Sequence, residues 1–374
     1  MVNELLMTTI GTNDQICREM APCLNGGPYA KSASKLIALS DGLGKNHFAS
    51  TLRAWCVWYL FGLMEGIFAS EEEPVSAVNR GVDRLSGFLA SAADLGLSNV
   101  SFPVEPVSNG TNVNGDVKNI TGEHYGQLFK SFSERSYWDE PVKLLKQRLE
   151  RNGISMPEIE NKSVLDAGCG GGRYSVAWRL LGAAPVTGVD ISPINVSDAN
   201  QRIQVNGIED VSFQKGDVLD LPFADEHFDI VFSNGVLHHT TDWEKGIAEI
   251  VRVMKPGGLG WLYLIEDPGG LFWDVIEILR VMLRDENKAD IRAALSSLRI
   301  PANRIFYMLD HVMVPINIRL TPEAIARSLK NAGATEIRRL VRGCDFDRVE
   351  QIHRNGKYAE QYFGVGENRF VFSK

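Results

Sequence analysis

Apolar positions follow two different rhythms along this chain. Between Asn13 and Leu97 they recur every three or four residues, most clearly from Val78 to Leu95, which predicts helices with one buried face. Beyond residue 160 they form short apolar runs, each followed by turn residues and a helix-like segment. Ser163 to Leu165 reads as a buried strand, and Arg173 to Leu181 as the helix after it. Val186-Thr-Gly-Val is a second strand, and a third precedes Gln214. Phe228-Asp-Ile-Val-Phe-Ser-Asn is a fourth and Trp261 to Ile265 a fifth. Alternation of this kind predicts an α/β domain on a parallel sheet.

Between the two regimes lies Pro103-Val-Glu-Pro-Val-Ser-Asn-Gly-Thr-Asn-Val-Asn-Gly-Asp116, rich in Pro, Gly and Asn and without a hydrophobic period. It reads as a linker over 103–120. The expected organisation is an N-terminal all-α domain over 1–102, for dimerisation or capping, and a second domain over 121–374. Glu140 to Arg151 is the helix expected before the first strand of that domain. After the fifth strand, Phe272 to Leu283, Lys288 to Leu298 and Ile305 to Val314 read as helical or apolar segments. Thr321-Pro-Glu opens a further helix, with Thr as N-cap and Pro in the first turn, ending at Gly333. Glu336 to Val341 and Arg369 to Phe372 supply two last strands.

Chemistry enters at the turn after the first strand. Val164-Leu-Asp-Ala-Gly-Cys-Gly-Gly-Gly172 sets Asp166 ahead of Gly168, Gly170 and Gly172, with Cys169 among them. Glycines there let the backbone pass close beneath a ligand, and the N–H groups of the next helix point at its polar end. A dinucleotide fingerprint would want glycine where Arg173 stands, so the spacing favours S-adenosylmethionine (SAM) over NAD. Asp166 is expected to hold the SAM ammonium through water or backbone. Asp190, followed by Ile191, ends the second strand about twenty residues on, where an acid takes both ribose hydroxyls of an adenosine. Asp217, in Gln214-Lys-Gly-Asp-Val-Leu-Asp-Leu-Pro-Phe223, is placed to accept from the adenine amino group, with the Val218 N–H and apolar neighbours holding the ring. Asn234 and Gly235 close the fourth strand beside the same ligand. Taken alone, each acid reads as a helix cap or loop residue. Their order at successive strand ends is what points to the cofactor.

On these motifs (Asp-x-Gly-x-Gly-x-Gly, Gly-Asp-x-x-x-Leu-Pro-Phe, Phe-Asp-x-Val and Leu-His-His) residues 163 to about 265 resemble class I SAM-dependent methyltransferases of the small-molecule group. The resemblance implies a Rossmann-like, doubly wound seven-stranded sheet, with SAM as donor and S-adenosylhomocysteine as product. It implies in-line transfer to a small-molecule acceptor and leaves the acceptor atom (O, N, S or C) open. It also implies that segments 268–320 and 342–367 are insertions roofing the acceptor, and that the stretch before the first strand folds over the cofactor. Tyr125 and Trp138 are then candidates to face the sulfonium, a cation–π attraction worth roughly 0.5–2 kcal/mol. Simple packing is the competing reading for both, and the preferred one for Phe129, Phe132 and Tyr137.

Just past the fourth strand, His238 in Asn234-Gly-Val-Leu-His-His239 is the expected general base, since a neutral imidazole titrates near working pH. The competing reading is a histidine that orients the loop. His239 is expected to point elsewhere. Glu266 or Asp267, at the end of the fifth strand, is expected to orient His238 or meet the acceptor, against a solvated-loop reading. A non-catalytic SAM-binding partner protein is the alternative from another functional class.

Composition narrows the partners. A net charge of −8 disfavours nucleic acid, which usually asks for a basic face. Five cysteines at 17, 23, 56, 169 and 344 suggest neither a disulfide framework nor a zinc or other metal site. Met1 to Ile10 lacks a secretory pattern, and the apolar run Ala54 to Met64 is too short to span a bilayer. No membrane is therefore expected, and the cytoplasm is the expected location; a homodimer through the helical domain stays open beside the capping role.

Overall fold

The computed structural model describes residues 26–70, 72–94 and 134–374. The predicted linker, Cys17, Cys23, Tyr125, Phe129 and Phe132 lie outside the described residues. In chain order the elements are α1 (Ala30–Gly42), α2 (His47–Ser70), α3 (Pro74–Asp94), α4 (Glu134–Arg151), β1 (Val164–Ala167), α5 (Arg173–Leu180), β2 (Val186–Asp190) and α6 (Pro193–Val205). They continue as β3 (Val211–Lys215), β4 (Phe228–Asn234), α7 (Trp243–Val253), β5 (Met254–Leu264), α8 (Gly270–Met282), α9 (Lys288–Ser297) and α10 (Ala302–Val312). The last are α11 (Pro322–Asn331), β6 (Thr335–Arg339), α12 (Arg348–His353), α13 (Ala359–Phe363) and β7 (Asn368–Ser373).

Capping explains several boundaries. Ser192 accepts from Asn195 N at the start of α6 with Pro193 in its first turn, and Asp242 accepts from Lys245 N at the start of α7. Thr321 does the same for α11, which stops before Gly333 at φ +97°. Two elements start six or seven residues earlier than their patterns predicted. Helix α4 begins at Glu134 rather than Glu140 and carries Pro141 inside it. Proline has no N–H for the carbonyl four residues back. That carbonyl, Tyr137 O, accepts instead from Arg173 Nε at 3.4 Å. Strand β5 begins at Met254 rather than Trp261, because Lys255-Pro-Gly-Gly258 lies within a bulge opposite β4, where the register shifts between Phe228 and Ile230.

The chain forms two compact units. One holds α1–α3 together with 269–314 and 356–363. Residues 269–314 were expected to belong to the second domain. They join the first unit because the apolar face of α9, Ile291 and Leu295, packs on α2, and α8 packs on α1 and α2. Helix α2 is long and apolar enough to cross a membrane by length and composition, although the apolar run alone was not. Half of that window is buried within the protein. Its Arg53 is buried too, bonded to Ser40 and ion-paired with Glu286 at 2.6 Å.

The other unit is the α/β sheet, in the order β3-β2-β1-β4-β5-β7-β6. Neighbours from β3 to β5 are parallel, and β7 runs antiparallel to both β5 and β6. Successive strand residues serve opposite faces. Leu165 and Val231 pack against Ile247 and Ile250 of α7 and Ile325 of α11. Val164, Ile230, Phe232 and Trp261 pack against Leu145 and Leu149 of α4 and Val176 and Trp178 of α5. Strand order reverses direction between β1 and β4, which opens a crevice at their carboxyl ends.

Phe232 is buried in an aromatic cluster with Tyr174, Trp178 and Trp261. Phe232→Ala should cost about 3–5 kcal/mol of unfolding free energy. A urea unfolding curve checks this, and a midpoint equal to that of the parent protein would refute it.

Candidate active site

The crevice is built around the turn that follows β1. Gly168 N and Cys169 N both donate to Val189 O, at 2.8 and 2.9 Å, which clamps the turn to β2. Gly168 sits at φ +83°, and a Cβ there would lie 2.4 Å from Val236 Cγ1. Gly172, at φ +78°, starts α5, and its Cβ would meet the Phe213 ring at 2.3 Å. Conformation and space both demand glycine at these two positions. Cys169 fills the turn from within, where burial holds its thiol well above the ordinary range.

Two carboxylates are buried against this turn. Asp190 Oδ2 accepts from Gly170 N at 2.8 Å, while Oδ1 accepts from Ser192 N at 2.9 Å and Asn195 Nδ2 at 3.1 Å. Burial raises its pKa, opposed by these same donors. A carboxylate has about four lone-pair sites, and these donors take three of them. The expected bonds to both ribose hydroxyls therefore narrow to one unless an internal bond gives way. Asp166 shares the face of β1 that meets α5 and accepts from Ser175 Oγ at 2.6 Å. Burial pushes its pKa from 3.8 to about 7, with Ser175 pulling down and the Asp190 charge pushing up. A cation bound here would relieve the cost of ionising both groups.

The remaining expected residues fall along the same edge. Ile191 is half-buried just past β2, and Gly216 N donates to Asp190 O at 3.0 Å, bringing Asp217 next to it. Asp217 Oδ1 accepts from Leu219 N at 2.9 Å, and Val218 is buried in the core beneath. Asn234 ends β4, with Gly235 N bonded to Tyr263 O at 3.1 Å. Trp138 lies edge-on to Tyr137 at 4.5 Å, its indole nitrogen buried without a hydrogen-bond partner among the described residues. Tyr137, expected only to pack, is the residue that reaches the turn: its hydroxyl donates to Gly171 O, and the Arg202 guanidinium lies 4.2 Å over its ring.

Proton positions distinguish the two histidines. His238 is 2% exposed, and its Nδ1 accepts from Ile265 N–H at 3.2 Å. A neutral imidazole carries one N–H, so His238 holds it on Nε2 and presents a donor. His239 is reversed. Its Nδ1 faces Ile316 O at 2.7 Å and must donate, which makes Nε2 the basic nitrogen. Glu266 is fully buried, and its Oε1 accepts from Arg348 Nε at 2.8 Å. His238 Nδ1 is held by the Ile265 backbone, and burial of Glu266 excludes the solvated-loop reading for that residue.

Sequence reasoning missed Tyr137, Ser175, Asn195 and Arg369, which brace the residues above. Ser175 and Asn195 had a readable signal, being polar residues in the first turn of helices that follow the acidic strand ends.

The chain is similar in sequence to known methyltransferases. The family described as "Methyltransferase domain" matches residues 165–262. The chain is 32% identical over 183 residues to 27-O-demethylrifamycin SV methyltransferase of Amycolatopsis mediterranei, covering 45% of this chain and 67% of that protein. It is 33% identical over 112 residues to the fatty-acid O-methyltransferase of Mycolicibacterium smegmatis, covering 30% of this chain and 40% of that one. The chain thus spans from about a third to two thirds of the length of the curated relatives it matches. Among solved structures, phosphoethanolamine N-methyltransferase 2 of Haemonchus contortus, in complex with S-adenosyl-L-methionine, aligns at TM-score 0.45 and 18% identity over 70% of this chain and 60% of that one.

Between pH 3.8 and about 7 the folded protein keeps a proton on Asp166 that the unfolded chain has released. This carboxyl therefore makes stability fall as pH rises through that window. Asp166→Asn should remove its contribution, so the thermal midpoint of the variant should gain on the parent protein steadily across the window. Parallel midpoint-versus-pH curves would refute the raised pKa.

Proposed function

Because the chain belongs to the class I SAM-dependent methyltransferases, we propose that it transfers a methyl group from SAM to an oxygen of a small, largely apolar molecule. The observation that carries the cofactor half is the pair of buried carboxylates, Asp166 and Asp190, wrapped around a glycine turn that leaves no room for side chains. The acceptor half is supported by the names of the relatives, which specify a rifamycin and a fatty acid.

When bound, SAM supplies an electrophilic methyl on a sulfonium leaving group. The protein's tasks are then alignment and proton removal. Strand order sets the alignment: Asp217 follows β3, Asp190 ends β2, the glycine turn ends β1 and Asn234 ends β4. In this reading the adenine, ribose and methionine parts of the ligand lie across the edge in that order. Holding the reactants in line supplies roughly 7–11 kcal/mol. As the acceptor oxygen bonds to the methyl carbon, its proton passes to His239 Nε2, while Ile316 O keeps the Nδ1–H in place. His238, with its proton on Nε2, donates in the same region and orients the acceptor or the loop. Glu266 serves the site through its ion pair with Arg348.

The same reading makes the helical unit an accessory, self-associating element with exposed Trp58 and Phe88 as its apolar surface. The cytoplasm suits the free buried thiols of Cys56, Cys169 and Cys344.

Calorimetric titration with S-adenosylhomocysteine, followed by labelled methyl transfer into small-molecule extracts, tests the proposal. Micromolar binding and a labelled product are expected. Binding without product would favour a SAM-binding partner protein, and no binding would overturn the cofactor assignment. Asp190→Ala should weaken S-adenosylhomocysteine roughly tenfold or more, the worth of a charged hydrogen bond. Once an acceptor is in hand, His239→Ala should lower kcat by about 10²–10⁴ and leave that affinity unchanged. A full-rate His239→Ala together with a slow His238→Ala would return the base to His238.

A further inference from the structure

Asn234 has a fixed polarity, and a residue far along the chain fixes it. Arg369, on β7, donates from Nη1 to Asn234 Oδ1 at 3.0 Å. Its Nη2 donates to Asp347 Oδ1 at 3.2 Å, and the guanidinium lies 4.3 Å over the Tyr263 ring. Arg369 is 3% exposed, so it has little freedom to take another pose. Behind it, Asp347 is gripped by Arg148, with Nε and Nη2 each 2.7 Å from a carboxylate oxygen, and Arg148 Nη1 reaches Tyr174 Oη at 2.7 Å. Against burial, which would raise it, Arg369 and Arg148 hold the Asp347 carboxyl far below the usual carboxylate range. Two buried ion pairs, Arg148–Asp347 and Asp347–Arg369, thus link Tyr174 on α5, beside the glycine turn, to Asn234 at the end of β4.

Arginine has donors and no acceptor, so the atom it meets on Asn234 must be the carbonyl oxygen. The Asn234 NH2 is then turned away from Arg369. Parallel pairing of Asp166 with Phe232, continued two residues along both strands, brings Asn234 level with Gly168 at the crevice. We propose that Arg369 is a positioning residue, pinning the Asn234 amide so that it offers its NH2 to the carboxylate of the amino-acid end of SAM. A free amide could flip and present oxygen to that anion. The pinned one cannot. The inference rests on the cofactor reading above and adds to it a residue that touches no ligand.

Two ligands separate this role from a structural one. S-adenosylhomocysteine carries the amino-acid end, and 5′-methylthioadenosine lacks it. Asn234→Asp keeps an oxygen for Arg369 but replaces the NH2 with a second oxygen. It should lose roughly ten- to a hundredfold in S-adenosylhomocysteine affinity, the scale of one hydrogen bond to a charged group, with 5′-methylthioadenosine affinity and thermal midpoint unchanged. Arg369→Lys keeps the charge beside Asp347 but cannot span both partners, and should show the same selective loss. Equal losses for both ligands, or none for either variant, would overturn the proposal. So would a selective loss in Asn234→Asp that Arg369→Lys fails to reproduce, since the amide would then need no pin. If the parent protein binds neither ligand, the cofactor reading itself has failed, an outcome distinct from the others.

Discussion

The Asp190 carboxylate is the constraint on which the crevice depends. It ends β2, yet its bonds go outward in two directions, to Gly170 in the turn after β1 and to Ser192 and Asn195 at the start of α6. One side chain thus fixes the spacing between a glycine turn and a helix N-terminus. Removing it from water is costly, and three donors offset that cost. Glycines alone would leave the turn adaptable. Bound to a buried anion and clamped by Val189 O, the turn is held in one shape before any ligand arrives.

The site is braced from the opposite side by charge. Arg148, Asp347 and Arg369 form a buried chain, and Arg348 pairs with Glu266 and approaches Glu367 at 3.7 Å. In each case an element late in the sequence grips one at the crevice. Buried ion pairs of this kind contribute little net stability against an apolar alternative but penalise any rearrangement that would part them. Their value here is geometric: they tie Asn234 at the end of β4 to β7, and Glu266 just past β5 to α12.

Much of this was legible in the chain. The strands, the glycine turn and the acids at strand ends follow from periodicity and from residue types that few other settings require, and each of the five core strands overlaps its apolar run, although β5 starts at Met254 rather than Trp261. What could not be read are relations that sequence distance hides. Pro141 marks a helix start by its usual preference, and only the fold supplies Arg173 to satisfy the carbonyl it strands. Tyr137 looked like any packing aromatic until its hydroxyl was seen against Gly171. The histidine tautomers depend on backbone groups at 265 and 316, which no spacing rule reaches. Residues 269–314 read in sequence as an insertion of the second domain yet joined the helical unit, because amphipathic faces record that a partner exists and not which one.

The position of β7 has a consequence for how the protein is made. Among the described residues, strand β6 hydrogen-bonds in the sheet only to β7, and β7 lies between β5 and β6 although it is the last of the seven to be translated. As the chain leaves the ribosome, the outer edge of β5 stays open and β6 has nothing to pair with until residues 368–373 emerge. Unpaired edges of this sort invite wrong partners. Arg369 arrives in that same final strand, so the closing of the sheet and the setting of Asn234 become a single event. A ribosome-bound intermediate lacking β7 would carry its glycine turn and strand-end acids with the crevice unfinished, and β7 would close the sheet and set the binding edge together.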